Sequence, residues 1–269
     1  MQLKMFCLCL DDFLLDEVKK LNYIPVGLGE KYFSEQWLRD NTGENISDKN
    51  SFYGEYSFHY WLWKNYLKKN KNQNEWIGFC AYRRFWSNNK INQDQSHFKN
   101  KVLNTAHDDW KNYDVILGNH QDVSDFKWMK LLKYGKKALL RNPKAILKKN
   151  RNIKFQFDMF HGTDKIDKAI ELLDDKNRDA FRNYIYKNSS YNQGNMFITN
   201  SYEIMNEYYK TIFNWLEKCE NVFGFDLHGY GNQRIYGFLA ERFLPYWFNQ
   251  NCKVLEWPII FHDLKNEIT

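Results

Sequence analysis

Short apolar runs alternate with amphipathic stretches along the chain. An apolar run bounded by polar residues or glycine predicts a strand, whereas apolar residues spaced three and four apart predict a helix. These criteria predict strands over residues 3–10, 23–28, 76–81, 113–117, 195–199 and 253–261, and helices over 52–69, 166–173, 180–186, 202–217 and 235–248. Strands that alternate with helices imply an α/β fold whose mostly parallel sheet is covered by helices on both faces.

The 269 residues contain no glycine/serine linker, no internal repeat and only four prolines, so we expect one compact domain over residues 1–269. Residues 127–154 stand apart, because they hold eleven Lys or Arg and no Asp or Glu, with leucines between them. We interpret this stretch as a basic helical insertion. Three roles stay open for it: a solvated hairpin, a patch that lies against anionic lipid or a lipid-linked phosphate, and a nucleic-acid contact. The last is the least favoured, since no nucleic-acid motif accompanies the charge, and we expect no nucleic-acid partner.

Charge and cysteine content narrow the class of protein. A net charge of +6 and 27% charged residues fit a folded, mildly basic domain. No apolar run approaches the ~20 residues that span a bilayer, and the apolar N-terminus runs directly into Asp11 and Asp12 without a cleavage site. We therefore expect a cytoplasmic protein, peripheral at the inner face of the cell membrane through residues 127–154. Five cysteines without a Cys-x-x-Cys pair indicate reduced, mostly buried thiols.

Several common catalytic motifs are missing from the sequence. It has no Gly-x-Gly-x-x-Gly, no Walker loop, no Gly-x-Ser-x-Gly and no His-Glu-x-x-His. It also has no Asp-x-Asp, so no short segment supplies a paired-carboxylate metal site. The chemistry must therefore come from residues of another kind.

A polar, turn-rich segment over residues 40–50 precedes a predicted helix. Helix N-termini attract anions, and Lys49 adds positive charge there. We predict that Asn45, Lys49 and Asn50 line a phosphate or nucleotide site. An ordinary surface loop is the alternative.

The predicted strand over residues 76–81 ends in Tyr82, Arg83 and Arg84. Ligands of open α/β sheets bind at the carboxyl ends of the strands, and arginine binds phosphate through two parallel hydrogen bonds. Two arginines at this place could neutralise a diphosphate leaving group without a metal. The alternative places one arginine in solvent and the other on a structural carboxylate.

Two further segments carry amides and charge. Asn192 and Asn195 flank a glycine before a strand, where their amides suit sugar hydroxyls, although a plain turn is equally compatible. On the last predicted helix, Glu241 beside Arg242 could be a general base for an acceptor hydroxyl or a buried ion pair. His161 and His262 lie beside aromatic residues, and either could take a ligand or transfer a proton, although a lone histidine is more often structural.

Three segments together resemble the DUF4422 family. They are residues 40–50, the Tyr-Trp-Leu-Trp-Lys-Asn run over 60–65, and residues 77–85, which end in Ala-Tyr-Arg-Arg-Phe. Residues 237–243 are similar to the C-terminal signature of the family. The resemblance covers most of the chain apart from the basic insertion. It implies a GT-A-like, Rossmann-related sheet and a glycosyltransferase of bacterial capsular or exopolysaccharide synthesis. More loosely, residues 192–195 resemble the Asn-x-Gly turn of galactinol- and glycogenin-like GT-A transferases.

The chain departs from these families at three points. Ala81 stands where the family has a histidine before Tyr-Arg-Arg, and Tyr56 and Ser57 follow Glu55 where the family has Leu and Thr. GT-A enzymes place Asp-x-Asp at the end of the strand that here ends in Tyr82, Arg83 and Arg84. Its absence favours metal-independent catalysis with no cofactor, although Mn²⁺ or Mg²⁺ is not excluded.

The resemblance and the residues together predict a glycosyltransferase, of hexosyltransferase type, that moves a sugar from a UDP-sugar or other nucleotide-diphosphate donor to a hydroxyl of a glycan or lipid-linked glycan. In this interpretation Glu241 is the first candidate for the catalytic base and His161 the second. Arg84 stabilises the leaving diphosphate, with Asn45, Lys49, Asn50, Tyr82 and Arg83 on the donor side and Asn192, Asn195 and Arg242 on the sugar. The alternative is a non-catalytic glycan- or nucleotide-sugar-binding protein that keeps the transferase fold.

Overall fold

The computed structural model describes residues 2–69, 75–89 and 97–268. The chain folds into two compact units. Unit 1 comprises Met1–Asn119, Gly194–Lys210 and Phe248–Thr269, and unit 2 comprises His120–Gln193 and Thr211–Trp247. The basic segment 127–154 lies wholly in unit 2. The expectation that both units belong to one domain stays a prediction.

In its described part, unit 1 is built on a nine-stranded sheet. Its strands are β1 (Leu3–Cys9), β2 (Ile24–Gly27), β3 (Leu38–Arg39), β4 (Trp76–Ala81), β5 (Arg84–Trp86), β6 (Val115–Gly118), β9 (Phe197–Thr199), β10 (Val254–Trp257) and β11 (Ile259–Phe261). The path across the sheet runs β10-β6-β9-β4-β1-β2-β3, with β5 and β11 off this path. Every strand on the path is parallel to the others except β9, which is antiparallel to both β6 and β4. The mixed α/β fold with a mostly parallel sheet flanked by helices is confirmed.

The register of the parallel strands places their carboxyl ends together. Leu8 of β1 lies opposite Val26 of β2 on one side and Ala81 of β4 on the other, and Gly27 lies opposite Arg39 of β3. The loops that follow β1, β2, β3 and β4 therefore leave the sheet at one edge. We call this the carboxyl edge of unit 1.

The strand predicted over residues 253–261 is wrong as a single element. It is divided into β10 and β11 at Pro258, which has no N–H to donate to a strand ladder. β10 pairs with β6, whereas β11 pairs antiparallel with β5. Because β11 pairs with β5, the residues that follow β11 lie next to the residues that follow β4.

The helices in unit 1 are short. They are α1 (Leu15–Lys20), α2 (Asn50–Tyr53), α3 (Tyr56–Trp61) and α4 (Phe98–Lys101). The helix predicted over residues 52–69 begins only at Tyr56, because Gly54 has a φ of +59° and ends α2. After α3 the chain continues as a π turn over Leu62–Tyr66 and a 3₁₀ turn over Leu67–Lys69.

Unit 2 is mainly helical. It holds β7 (His120–Asp122), β8 (Ser190–Asn192), α5 (Trp128–Tyr134), α6 (Lys136–Arg141), α7 (Ile153–His161), α8 (Lys165–Glu171), α9 (Asp175–Lys187) and α11 (Tyr230–Gln233). The residues of α10 (Tyr202–Phe223) and α12 (Ile235–Asn251) are divided between the two units. The helices predicted over residues 166–173, 180–186, 202–217 and 235–248 are confirmed as α8, α9, α10 and α12. β7 and β8 form an antiparallel pair.

The core of unit 1 is rich in tryptophan. The Trp110 ring contacts both Trp76 and Trp257, at centroid distances of 5.3 and 5.4 Å. Buried indole N–H groups require acceptors. Trp86 donates to the carbonyl of Phe79 and Trp257 to that of Ser87. All five cysteines are free thiols and four are buried, as predicted. No helix in the described ranges is long and apolar enough to cross a membrane.

Candidate active site

The backbone extends the strand ladder into the loops of the carboxyl edge. The Leu28 N–H donates to the Cys9 carbonyl at 3.0 Å, and the Tyr82 N–H donates to the Leu8 carbonyl at 3.2 Å. These bonds hold the residues that follow β1, β2 and β4 side by side. Ligands of α/β sheets bind at this edge, so the polar side chains here form the candidate site.

The chain after β11 lies along the same edge. The N–H groups of His262 and Leu264 donate to the carbonyls of Arg83 and Tyr82, at 3.2 and 3.1 Å. This places the Asp263 carboxylate 2.8 Å from Nε of Arg83. It also places Lys265 at the end of β1.

Lys265 and Lys31 both bind Asp11. The Lys265 Nζ lies 2.9 Å from Oδ2 of Asp11 and the Lys31 Nζ lies 3.3 Å from Oδ1. The hydrogen bond from Lys265 is the main reason that the pKa of Asp11 is lowered, and the same bond raises the pKa of Lys265. Burial raises the pKa of Asp263, but bonds from the Lys265 backbone and the Arg83 guanidinium outweigh it, and the net shift is downward. Both carboxylates are therefore ionised at neutral pH.

Arg84 differs from these paired groups. It is half-buried at the start of β5, with its guanidinium 5.6 Å from the ring centroid of Phe261. In the described part of the chain no carboxylate forms an ion pair with it. Its Nη1 lies 3.3 Å from the point where a Cβ on Gly194 would stand. Arg84 is thus a half-buried guanidinium that no carboxylate of the described residues neutralises.

A buried histidine holds the loop that carries Gly194. The Nε2 atom of His59 lies 3.3 Å from the Asn195 carbonyl, and Nδ1 lies 2.8 Å from the hydroxyl of Tyr209. Complete burial lowers the pKa of His59 to about 4, so the ring is neutral at pH 7. A neutral ring satisfies both contacts when Nε2–H donates to the carbonyl and Nδ1 accepts from Tyr209. His59 therefore positions Asn195 through its main chain.

The predicted nucleotide loop over residues 40–50 is held largely by its own polar groups. The Asn45 side chain accepts from the backbone N–H and hydroxyl of Ser47, at 3.1 and 2.9 Å, and Asn50 donates to Ser57 at 2.8 Å. Lys49 ends a 3₁₀ turn over Ser47–Lys49. The helix that follows, α2, has only four residues, too few to carry a strong N-terminal dipole. The structure thus ties the Asn45 and Asn50 side chains into the loop.

A buried carboxylate joins this loop to the carboxyl edge. Asp40 is fully buried and accepts from the Gly29 N–H at 3.0 Å and from the Ser57 hydroxyl at 2.6 Å. Burial raises the pKa of Asp40 despite these bonds. The loop also contacts the second resembling segment, since Trp61 Nε1 donates to the Thr42 hydroxyl at 2.9 Å. The first two segments of the resemblance therefore support each other in space.

The predicted residues His161, Asn192, Glu241 and Arg242 belong to unit 2, and two of them, His161 and Glu241, contact Arg242, which is buried in α12. Its Nη1 binds Glu241 at 2.6 Å, and its Nη2 binds Gln156 at 2.9 Å and lies 3.4 Å from Nε2 of His161. The Nδ1 of His161 lies 3.0 Å from the Gly231 carbonyl. Burial and then the charge of Arg242 lower the pKa of His161 well below its usual value.

His161 is therefore neutral, with Nδ1–H donating to Gly231 and Nε2 facing the Arg242 guanidinium. Glu241 is partly exposed and ion-paired. Asn192 is a buried residue of β8, with its Nδ2 3.3 Å from Nδ1 of His120. The predicted site residues are thus divided between the two units. Unit 1 contains Asn45, Lys49, Asn50, Tyr82, Arg83, Arg84 and Asn195, and unit 2 contains His161, Asn192, Glu241 and Arg242.

Sequence reasoning missed the charged groups that join distant parts of unit 1. Asp11, Lys31, Asp263 and Lys265 were not predicted, although Asp11 comes almost directly after the first strand and the carboxyl-end rule applies to it as it does to Arg83. His59 was missed because the sequence places it on an aromatic helix face like that of a core residue. His262, in turn, binds Glu267 at 2.6 Å and stacks on Phe98.

The described residues do not fit a divalent metal. They contain no group of three or more His, Cys, Asp or Glu side chains able to hold an ion. At the carboxyl edge Asp11 and Asp263 are bound by lysine and arginine, and Asp40 is bound by Gly29 and Ser57. We therefore derive no step through a metal.

Comparison with known proteins agrees with this architecture. The structure is similar to the apo structure of WbbM, a bifunctional glycosyltransferase, with a TM-score of 0.67 and 18% sequence identity. The similarity covers 97% of this chain and 45% of the WbbM chain, so the chain spans less than half the length of that neighbour. No curated protein matches the chain. The model of a domain of unknown function, DUF4422, matches residues 12–252, and the chain therefore belongs to the DUF4422 family.

Proposed function

We propose that this chain is a glycosyltransferase that moves a sugar from a nucleotide-diphosphate donor, a UDP-sugar, to a hydroxyl of a glycan or lipid-linked glycan in bacterial capsule or surface polysaccharide synthesis. One observation carries the proposal. Arg84 is half-buried at the carboxyl edge of a mostly parallel sheet, and no carboxylate pairs with it in the described ranges. Such a guanidinium suits a phosphate that arrives with the ligand. The fold similarity to a glycosyltransferase supports the same conclusion.

The reaction breaks the bond between the anomeric carbon and the oxygen of the diphosphate. The acceptor hydroxyl oxygen forms the new bond to that carbon and loses its proton, and the nucleoside diphosphate leaves with the bonding electron pair. Charge grows on the leaving oxygens, and groups that stabilise developing charge usually contribute most to catalysis. In this proposal Arg84 binds the diphosphate, and Arg83 adds charge from a more exposed position.

The remaining roles follow the same proposal. Lys49 and Tyr82 contact the nucleotide, while Asn45 and Asn50 keep the loop over residues 40–50 in shape for it. Asn192, Asn195 and Arg242 belong to the sugar side. Glu241 accepts the proton in this proposal, since it is a partly exposed carboxylate with a second oxygen besides the one that binds Arg242, whereas both ring nitrogens of His161 face partners.

We propose further that the transfer needs no metal, because the arginines supply the positive charge. The test is release of nucleoside diphosphate from a panel of UDP-, GDP- and dTDP-sugars by the purified chain, with EDTA and with Mn²⁺. Release of UDP that persists in EDTA supports the proposal. Strict dependence on Mn²⁺ or Mg²⁺ contradicts the metal-free part alone. Binding of nucleotide sugars without any release, with or without a glycan acceptor, favours the non-catalytic binding protein.

A further inference from the structure

The basic segment over residues 127–154 packs against the rest of unit 2 through a small set of apolar side chains. It comprises α5, α6, 3₁₀ turns over Pro143–Ile146 and Lys148–Asn150, and the start of α7. Leu131, Ala138 and Ala145 are buried and pack with Phe155 and Met159 of α7 in one apolar cluster. These contacts account for the inward-facing apolar residues of the segment.

A second set of apolar side chains points outward. Its members are 44–82% exposed, and they are Trp128, Met129, Leu132, Leu140, Ile146 and Leu147. Trp128 and Leu132 lie four residues apart on α5 and therefore share one side of the helix. Six large apolar side chains exposed within 20 residues of chain differ from the scattered exposure of an ordinary surface and indicate an interaction site.

Most of the basic residues of the segment form no ion pair with a described carboxylate. Four of the eleven basic residues are tied within unit 2: Arg141 to Asp164, Lys148 to Asp122 and Asp125, Lys154 to Asp158 and Asp167, and Arg151 to three backbone carbonyls. The other seven are exposed, and no described carboxylate pairs with them. These are Lys127, Lys130, Lys133, Lys136, Lys137, Lys144 and Lys149.

We infer that residues 127–149 dock on an anionic phospholipid bilayer through their exposed lysine and apolar side chains. Lysine ammonium groups bind lipid phosphates and carboxylates, while the adjacent apolar side chains enter the boundary between headgroups and acyl chains. The positive charge of the lysines complements an anionic membrane surface, and the same surface removes the exposed apolar side chains from water. A nucleic-acid backbone would take the charge but would leave Leu140 and Met129 in water. The inference concerns docking and does not depend on the proposed transferase reaction.

The test is co-sedimentation of the full chain with vesicles of phosphatidylcholine alone and of phosphatidylcholine with 30% phosphatidylserine. We expect binding to the anionic vesicles only. Each lysine near such a surface strengthens binding about fivefold, so Lys130→Gln with Lys133→Gln should weaken it about 25-fold. Trp128→Ser with Leu132→Ser should also weaken it, because the apolar contribution is lost. Lys176→Gln with Lys187→Gln removes the same charge from exposed positions of α9 and should bind as the parent does.

Three results would overturn the inference. The first is no binding of the parent chain to anionic vesicles at 150 mM salt. The second is an equal loss of vesicle binding in the α9 control pair and in the α5 pair, which would indicate that binding depends on the net charge of the chain and not on residues 127–149. The third is absence of vesicle binding together with a self-association, or binding to duplex DNA, that the α5 substitutions abolish. Circular dichroism melting of every variant checks that it is folded. Donor hydrolysis in solution should be unchanged by the α5 substitutions, so a failure of membrane docking can be distinguished from a failure of the transferase proposal.

Discussion

The Nη1 atom of Arg84 lies 3.3 Å from the position that a Cβ atom on Gly194 would occupy. Gly194 also has a φ of +98°, a backbone conformation that side chains with a Cβ rarely adopt. The absence of a side chain at residue 194 therefore permits the backbone conformation of the turn before β9 and leaves room for the Arg84 guanidinium. The predicted sugar-binding turn and the predicted diphosphate-binding arginine are neighbours.

This relationship predicts the effect of Gly194→Ala. A β-carbon at this φ should reduce the free energy of unfolding by about 1–3 kcal/mol and should press on Arg84. We expect a lower melting temperature together with weaker UDP binding. Gly224→Ala is the matched control, since Gly224 has a φ of +60° and, apart from its chain neighbours, no described residue has an atom within 4 Å of the place that its Cβ would take. It should lose stability but keep UDP affinity, and equal losses of affinity in the two variants would count against the role of Arg84.

Replacement of Arg84 should reduce turnover with little effect on the fold. Removal of one group that stabilises developing charge slows reactions about 10²–10³-fold, so we expect a loss of that size in donor turnover by Arg84→Ala. Arg84→Lys keeps the charge but cannot form the paired hydrogen bonds of a guanidinium, and it should recover only part of the rate. Single-turnover kinetics and thermal melts measure both effects. Near-normal turnover by Arg84→Ala would show that the arginine has another role.

Arg83→Ala should have a smaller effect than Arg84→Ala. The Arg83 side chain is exposed and its guanidinium is already paired with Asp263 at 2.8 Å, so part of its charge is neutralised. An Asp263→Asn variant removes that partner and should strengthen UDP binding modestly, and more so at low salt. Titrations of both variants at two salt concentrations test this order. A greater loss for Arg83→Ala than for Arg84→Ala would reverse our assignment.

The stability of the chain should fall on mild acidification because of His59. Its pKa is about 4 when folded, against an ordinary value of 6.5, so the unfolded chain binds more protons between pH 4 and 6.5. Stability therefore falls as the pH drops through this window, and His59 alone should account for about 2 kcal/mol between pH 7.5 and 5. Denaturant titrations of His59→Phe should show a correspondingly shallower pH dependence. His228→Gln, at a side chain that is 90% exposed, serves as the comparison in which a surface histidine is removed instead of the buried one.

The sequence predicted the parts of the fold that local patterns encode. β4 is a continuous apolar run that ends in two arginines, and both its bounds and the position of Arg84 at the carboxyl edge follow from that pattern. α10 is long and amphipathic, whereas α12 is a long apolar helix that is buried over most of its length, and the helical spacing of apolar residues predicted both. By contrast, α7 carries buried apolar residues at Ile153, Phe155, Phe157 and Met159, an alternation that does not signal a helix.

Long-range relationships could not be predicted, since no local pattern carries them. The ion pair of Asp11 with Lys265 joins residues 254 positions apart, and it forms only because Pro258 divides the last strand and β11 returns to β5. The antiparallel direction of β9 likewise depends on the path of the chain and not on the three residues Phe197–Thr199. The candidate site was therefore predicted through Arg83 and Arg84, whereas the carboxylates and lysines around them were not.

The most direct test of the account is the affinity of the chain for UDP in EDTA, measured by titration calorimetry for the parent chain and for Arg84→Ala. We predict metal-free binding that weakens at least tenfold in the variant, equivalent to about 1.4 kcal/mol. Lys20→Ala, an exposed side chain paired with Glu17 on α1, should bind as the parent does. UDP binding that is absent without a metal, or that is equal in the parent and Arg84→Ala, would contradict the assignment of Arg84 as the group that receives the diphosphate.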